Sequence, residues 1–148
     1  MRGVRLAVDI GRVRVGVAMS DPDGVLASPL VTLRRANAGE GTVPSDIGEI
    51  ARLVERHASV EVIVGLPVTL AGAEGPAAAE ARAYAARLAE VIAPVPVRLA
   101  DERMSTVVAT RRLSERGVRG RRRRAVVDQA AAVEILQNWL DGQRRRTR

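Results

Sequence analysis

An α/β fold, with a mixed central sheet and helices on both faces, is what this chain predicts. Residues 6–33 read as three strands joined by tight turns, and the chain then alternates helical and strand patterns to about residue 140. Within the first hairpin, Leu6 to Asp21 (LAVDIGRVRVGVAMSD), alternation puts Leu6, Val8 and Ile10 on one face and Ala7 and Asp9 on the other. Both faces are mostly apolar, which suits a strand inside the sheet rather than at its edge.

The elements follow in order. Gly11 makes the turn of the opening hairpin, and Asp21-Pro22-Asp23-Gly24 is a second turn with Pro at its second position and Gly at its fourth. A third strand spans about Val25 to Leu33, where Pro29 signals an edge or a bend. Residues 34–44 form a polar, Gly-rich loop. Asp46 with Glu49 resembles a capping box, and Ile47, Ile50, Ala51 and Val54 share the face of the helix that follows. His57 closes that helix, where its charge favours the C-terminus. Val60 to Val64 is a short strand leading into Gly65-Leu66-Pro67. Pro76 then opens an Ala-rich helix with Ala77, Ala81, Tyr84, Leu88 and Val91 on one stripe, stopped by Pro94 and Pro96. Val97 to Ala100 is the last strand. Ser105 caps a helix to about Arg116, Gly120 to Arg124 is a basic loop, and a final helix runs from about Ala125 to Leu140. These elements form one domain, residues 1–142, and residues 143–148 read as a basic, disordered tail.

Composition narrows the function. The chain has no Cys, which removes thiolate metal sites, disulfides and cysteine nucleophiles. No apolar run reaches the length of a membrane span and Met1-Arg2-Gly3 leads straight into a strand, so a cytoplasmic protein with no membrane partner is expected. The net charge of +7 is uneven: residues 1–102 carry −2, and residues 103–148 carry +9, all of the basic residues being Arg. That asymmetry points to a polyanionic partner, nucleic acid before anionic membrane. Trp139 and Tyr84 are the only aromatics, too few for a base-stacking platform.

Three acids carry the chemistry. Asp9 stands near the end of the first strand, where it either caps the Gly11 turn or belongs to a metal or phosphate site. Glu102, just past the last strand, is either a loop acid paired with Arg103 or a site residue. Asp128 shares a helical stripe with Ala131, Ala132, Ile135 and Trp139, so it either serves the helix N-terminus or points at the carboxyl ends of the strands. Three carboxylates without His or Cys suit Mg²⁺ or Mn²⁺ rather than Zn²⁺. A pair of such ions can activate water and stabilise the leaving oxygen of a phosphodiester.

Four blocks then occur in order: D-x-G-x-x-x-x-G-V-A from Asp9 to Ala18, V-G-L-P with a following G-x-E-G from Val64 to Gly75, D-E-R-M-S-T from Asp101 to Thr106, and D-x-A-A-A-x-x-I-L-Q from Asp128 to Gln137. Nearly the whole chain thus resembles the YqgF/RuvX family, Holliday-junction-resolvase-like proteins that are also candidate pre-16S rRNA nucleases. The resemblance implies a ribonuclease-H-like fold and a metal-dependent nuclease site of Asp9, Glu102 and Asp128. Val13 stands where the family often has Lys, and Thr69 where it often has Asn. Neither is a metal carboxylate.

The expected activity is endonucleolytic hydrolysis in structured nucleic acid, foremost 5′-end processing of pre-16S rRNA. Cleavage of branched DNA as a Holliday junction resolvase, and rRNA binding without catalysis, are the alternatives. An ATPase of the actin or sugar-kinase type opens with a similar D-x-G hairpin, but needs two such domains. Arg103, Arg119, Arg121, Arg122, Arg123 and Arg124 are the expected nucleic-acid contacts. Either a monomer or a homodimer is compatible with the sequence.

Overall fold

The computed structural model describes residues 2–36, 42–69, 71–102 and 121–146, with 121–128 described as backbone only. Five strands among them form one sheet: β1 (Arg5–Ile10), β2 (Arg14–Ser20), β3 (Ala27–Arg34), β4 (Glu61–Leu66) and β5 (Val97–Asp101). Their order is β3-β2-β1-β4-β5. The β1–β2 and β2–β3 pairs are antiparallel, and the β1–β4 and β4–β5 pairs are parallel. The two-faced apolar strand β1 therefore takes the centre, as its pattern requires. Pro29 lies on the edge strand β3 and meets both expectations: the register with β2 slips between Val17 and Ala18, beside Pro29, where a missing N–H costs no ladder bond.

Helices α1 (Ser45–Arg56) and α2 (Pro76–Ile92) cover one face, and α3 (Arg121–Arg146) covers the other. On the first face Leu6, Val8, Val62 and Val64 meet Ile47, Ile50, Tyr84 and Leu88. Each fully buried side chain of this size contributes about 1.5–3 kcal/mol. On the second face Ala7, Ala18 and Ile63 meet Ala132, Ile135, Leu136 and Leu140. The small residues there let α3 lie close to the strands.

Four local expectations are corrected. The Ala-rich helix buries Ala78, Ala85 and Ile92 along with Ala81, Tyr84 and Leu88, while Ala77 is exposed and Val91 only half-buried. Residues Arg121 to Arg124 form the first turn of α3 rather than a loop; Arg propagates a helix well, and its charge says little about backbone conformation. Residues Gln143 to Arg146 continue α3, because Arg144 donates to the carbonyls of Gly24 and Val25 at 3.0 Å. The helix expected from Ser105 to Arg116 lies outside the described residues.

The fourth correction is at Asp46. No side chain caps α1, and Glu49 instead pairs with Arg52. Asp46 turns inward, 2% exposed, and accepts a hydrogen bond from the Tyr84 hydroxyl at 2.9 Å. Its other oxygen, Oδ1, is buried without a hydrogen bond among the described residues. Burial, then the adjacent Asp46 carboxylate, pushes the Tyr84 hydroxyl well above its ordinary value of 10.0. The raised value fixes the sign of the pH effect. Below pH 10 the hydroxyl is neutral in both states and its contribution is fully present; above pH 10 the unfolded chain ionises first, so stability falls as pH rises. Tyr84→Phe is expected to destabilise the fold by about 1–3 kcal/mol, because Asp46 loses its donor. Chemical denaturation of the two proteins at pH 7 and pH 10.5 checks both points: the variant loses the tyrosine's share of the alkaline decline.

Candidate active site

Asp9 is the penultimate residue of β1 and is 1% exposed. Alternation with Ala7, which packs under α3, sets Asp9 on the α3 face. The turn after it is tight: the Gly11 amide donates to the Arg14 carbonyl at 2.8 Å. A Cβ on Gly11 would stand 2.9 Å from that carbonyl oxygen, so only glycine fits. Arg35 braces the same turn by donating to the Gly11 carbonyl at 3.1 Å, while pairing with Glu80 at 2.5 Å and lying over the Tyr84 ring at 5.8 Å.

Sequence reasoning missed what stands on either side of Asp9. On β2 its partner is Gly16. On β4 the register Val8↔Val64, continued by one residue, brings it beside Gly65. Neither neighbour has a side chain, so the groups that surround the carboxylate beneath α3 come from other elements. The G-V-A and V-G-L-P blocks contained both glycines, but their common row across the sheet depends on strand pairing.

Glu102 fills part of that opening. Its amide donates to the Leu66 carbonyl at 3.2 Å, extending the β4–β5 ladder by one residue. Alternation with Ala100, which packs with the α3 cluster, puts Glu102 on the same face as Asp9, while Asp101 is exposed. Glu102 is 6% exposed, and its Oε2 comes within 3.0 Å of where a Cβ on Gly65 would sit. Ile135 Cδ1 comes within 2.6 Å of the same point. The missing side chain of Gly65 is thus the space in which the Glu102 carboxylate rests. Beside it, a cleft of about 230 Å³ runs between β5 and α3, bounded by Ala100, Glu102, Ile135, Asn138 and Trp139.

The helix that bears Asp128 is held in register along its length. Gln137 donates to the Val25 carbonyl and accepts from the Ala27 amide, both at 2.9 Å. The Trp139 indole donates to Glu61 Oε1 at 3.1 Å, and Arg5 donates to the same oxygen at 3.1 Å. Gln129 donates to Thr32 Oγ1 at 2.9 Å. Thr32 pairs with Gly16, and Gly16 with Asp9, so these three lie in one row across the sheet. Asp128, one residue before Gln129, therefore has its backbone over the end of the sheet where Asp9 stands. Its side chain lies outside the described set. Arg121 to Arg124 occupy the helix beyond it, and Arg103 and Arg119 lie outside the described residues altogether.

The two described acids fit a hard divalent cation. They are oxygen donors buried on one face of the sheet, at the carboxyl ends of parallel strands where α/β sheets place their sites. Thr69, at the same end, is occupied locally: its Oγ1 accepts from the Ala73 amide at 3.0 Å and shapes the loop after β4.

The family model RuvX, described as Holliday junction resolvase, matches residues 3–142. A protein of Rhodococcus erythropolis is 54% identical over 140 residues, covering 95% of this chain and 78% of its own. One of Nocardia farcinica is 56% identical over 141 residues, with 95% and 78% covered. One of Mycobacterium ulcerans is 55% identical over 143 residues, with 97% and 81% covered. Each bears the name "Putative pre-16S rRNA nuclease". Among solved structures, RuvC of T. thermophilus in complex with a Holliday junction substrate superposes with a TM-score of 0.54 at 17% identity, with 95% of each chain covered. That likeness assigns the ribonuclease-H-like α/β fold. With a family match across nearly its whole length, this chain belongs to the RuvX family.

Proposed function

We propose that this protein is a metal-dependent endonuclease that hydrolyses phosphodiester bonds at the 5′ end of pre-16S rRNA. The observation that carries the proposal is the burial of Asp9 and Glu102 together on the α3 face, at the end of the sheet over which the Asp128 turn lies. Asp9, Glu102 and Asp128 hold Mg²⁺ or Mn²⁺ and are its catalytic ligands. When bound, the metal lowers the pKa of an attacking water and stabilises the charge that develops on the phosphate oxygens. The chain's own part is positioning. The sheet fixes two carboxylates, the missing side chain of Gly65 leaves room for one of them, and the register of α3 sets the third acid. The names of the relatives supply the rRNA substrate.

A second reading has support of its own. The family model is described as a Holliday junction resolvase, and the RuvC fold matches, so branched DNA is the alternative substrate, which a homodimer would suit better than a monomer. Purified protein with Mg²⁺ or Mn²⁺, offered precursor rRNA and a four-way DNA junction in parallel, distinguishes them. Cleavage of precursor rRNA that stops in excess EDTA is expected. Undiminished cleavage in the chelator would sink the metal mechanism, and binding of rRNA without cleavage would leave a binding module. With rRNA as its substrate, the protein would act in the cytoplasm. No helix among the described residues is long and apolar enough to cross a membrane.

Arg103, Arg119 and Arg121 to Arg124 contact the substrate backbone. The first turn of α3 carries four Arg and no acid, which favours an anion at that end of the helix. Replacing Arg121 to Arg124 with Ser is expected to flatten the salt dependence of RNA binding, reducing the log–log slope by up to ~3. Metal binding, followed by Mn²⁺ titration, should be unchanged. An unaltered salt slope would mean that this turn does not track phosphates.

A further inference from the structure

The pairing of β2 with β3 sets Arg14 directly opposite Arg34. Like charges in that position on antiparallel strands repel and cost stability. Both belong to alternating sets that face α3, since Ala18 packs under the helix and Thr32 bonds to it. They lie at the carboxyl end of β1, beyond the row that holds Asp9. Arg12, in the β1–β2 turn, and Arg34 are exposed, whereas Arg14 is half-buried with a partner inside the fold. The fourth arginine at this tip, Arg35, is already committed to Glu80 and the Gly11 carbonyl. Several arginines elsewhere are paired with acids, such as Arg5 with Glu61 and Arg82 with Glu74, the latter through two bonds at 2.6 and 2.7 Å. Arg12 and Arg34 thus add exposed positive charge to the tip with no acid paired to either among the described residues.

We infer that Arg12 and Arg34, supported by Arg14, form a contact surface for the sugar–phosphate backbone of a nucleic-acid strand on the β2–β3 side of the site. This rests on the nuclease reading above and adds a second rim to it: the start of α3 bounds the acids from above, and the hairpin tip bounds them along the sheet. Guanidinium forks match phosphate oxygens in pairs, and a strand entering beside Asp9 offers successive phosphates to both residues. An acidic protein would also meet the charge, but the adjacency to the three acids favours a polyanion whose reacting phosphate sits at the metals.

The test uses the full chain and an end-labelled RNA stem–loop, with divalent metal removed so that binding is read without cleavage. Arg12→Ser/Arg34→Ser is compared with Arg52→Ser/Arg56→Ser, which removes equal charge from α1 on the opposite face. The tip variant is expected to bind more weakly, with its log–log salt slope reduced by up to ~2, and the α1 variant to keep the slope of the unsubstituted chain. Thermal unfolding of the tip variant should not fall, because the Arg14–Arg34 repulsion is relieved. Equal slopes in the two variants, or a tip variant that loses stability, would overturn the inference while leaving the nuclease reading in place. An unsubstituted chain that binds no RNA and cleaves no nucleic acid would overturn both.

Discussion

Asp9→Asn is expected to lower metal-dependent cleavage by about three orders of magnitude while leaving RNA binding nearly intact. Asp9 is central on both counts: it stands on the middle strand, and both flanking positions on its face are glycines. The amide keeps the size of the side chain and removes the charge that a hard cation requires. Loss of one ligand from a site of this kind forfeits several kcal/mol of transition-state stabilisation, and each 1.4 kcal/mol is a factor of ten. The fold should persist in the variant, because the amide fills the same buried volume. Single-turnover cleavage at saturating Mg²⁺, with melting curves in EDTA, measures both. Cleavage within tenfold of the unsubstituted chain would remove Asp9 from the catalytic set.

Gly65→Ala should separate the site from the fold. The added Cβ would stand 2.6 Å from Ile135 Cδ1 and 3.0 Å from Glu102 Oε2. Ile135 can rotate its terminal carbon away, which limits the cost to stability to ~1–2 kcal/mol. The Glu102 carboxylate is also the far end of a flexible side chain, so the methyl group turns it out of the place it occupies over Gly65. Its displacement should weaken Mn²⁺ affinity and cleavage by tenfold or more, in line with the 10–100-fold effects of disturbing the groups that orient metal ligands. Adding Ile135→Val makes room for the new methyl group, so Gly65→Ala/Ile135→Val should regain stability without regaining activity. If the second substitution restores both, the effect of Gly65 is on helix packing and not on Glu102.

These two residues show the difference between what was legible and what was not. The importance of Asp9 could be read from an acid embedded in a strand apolar on both faces, because a buried charge demands a partner wherever the chain folds. Glu102 and Asp128 were legible through the D-E-R-M-S-T and D-x-A-A-A blocks, as residues at a strand end and on a helical stripe. Nothing in those blocks could place Gly16 and Gly65 in one row with Asp9, since that depends on which strands pair and in what register. Asp46 gave the opposite error. Its spacing to Glu49 fits a capping box, but the Tyr84 hydroxyl, 38 residues away in the chain, is its partner.

By itself the sequence determined the α/β class, the place of the first strand inside the sheet and the edge or bend at Pro29. Each follows from local periodicity or from the missing N–H of proline, and both are written residue by residue. Only the tertiary structure decided that Arg144 anchors the far end of α3 and that Arg14 faces Arg34. Those outcomes rest on contacts between segments distant in the chain. The energy of such a contact depends on the register of two elements together, and neither element encodes it alone.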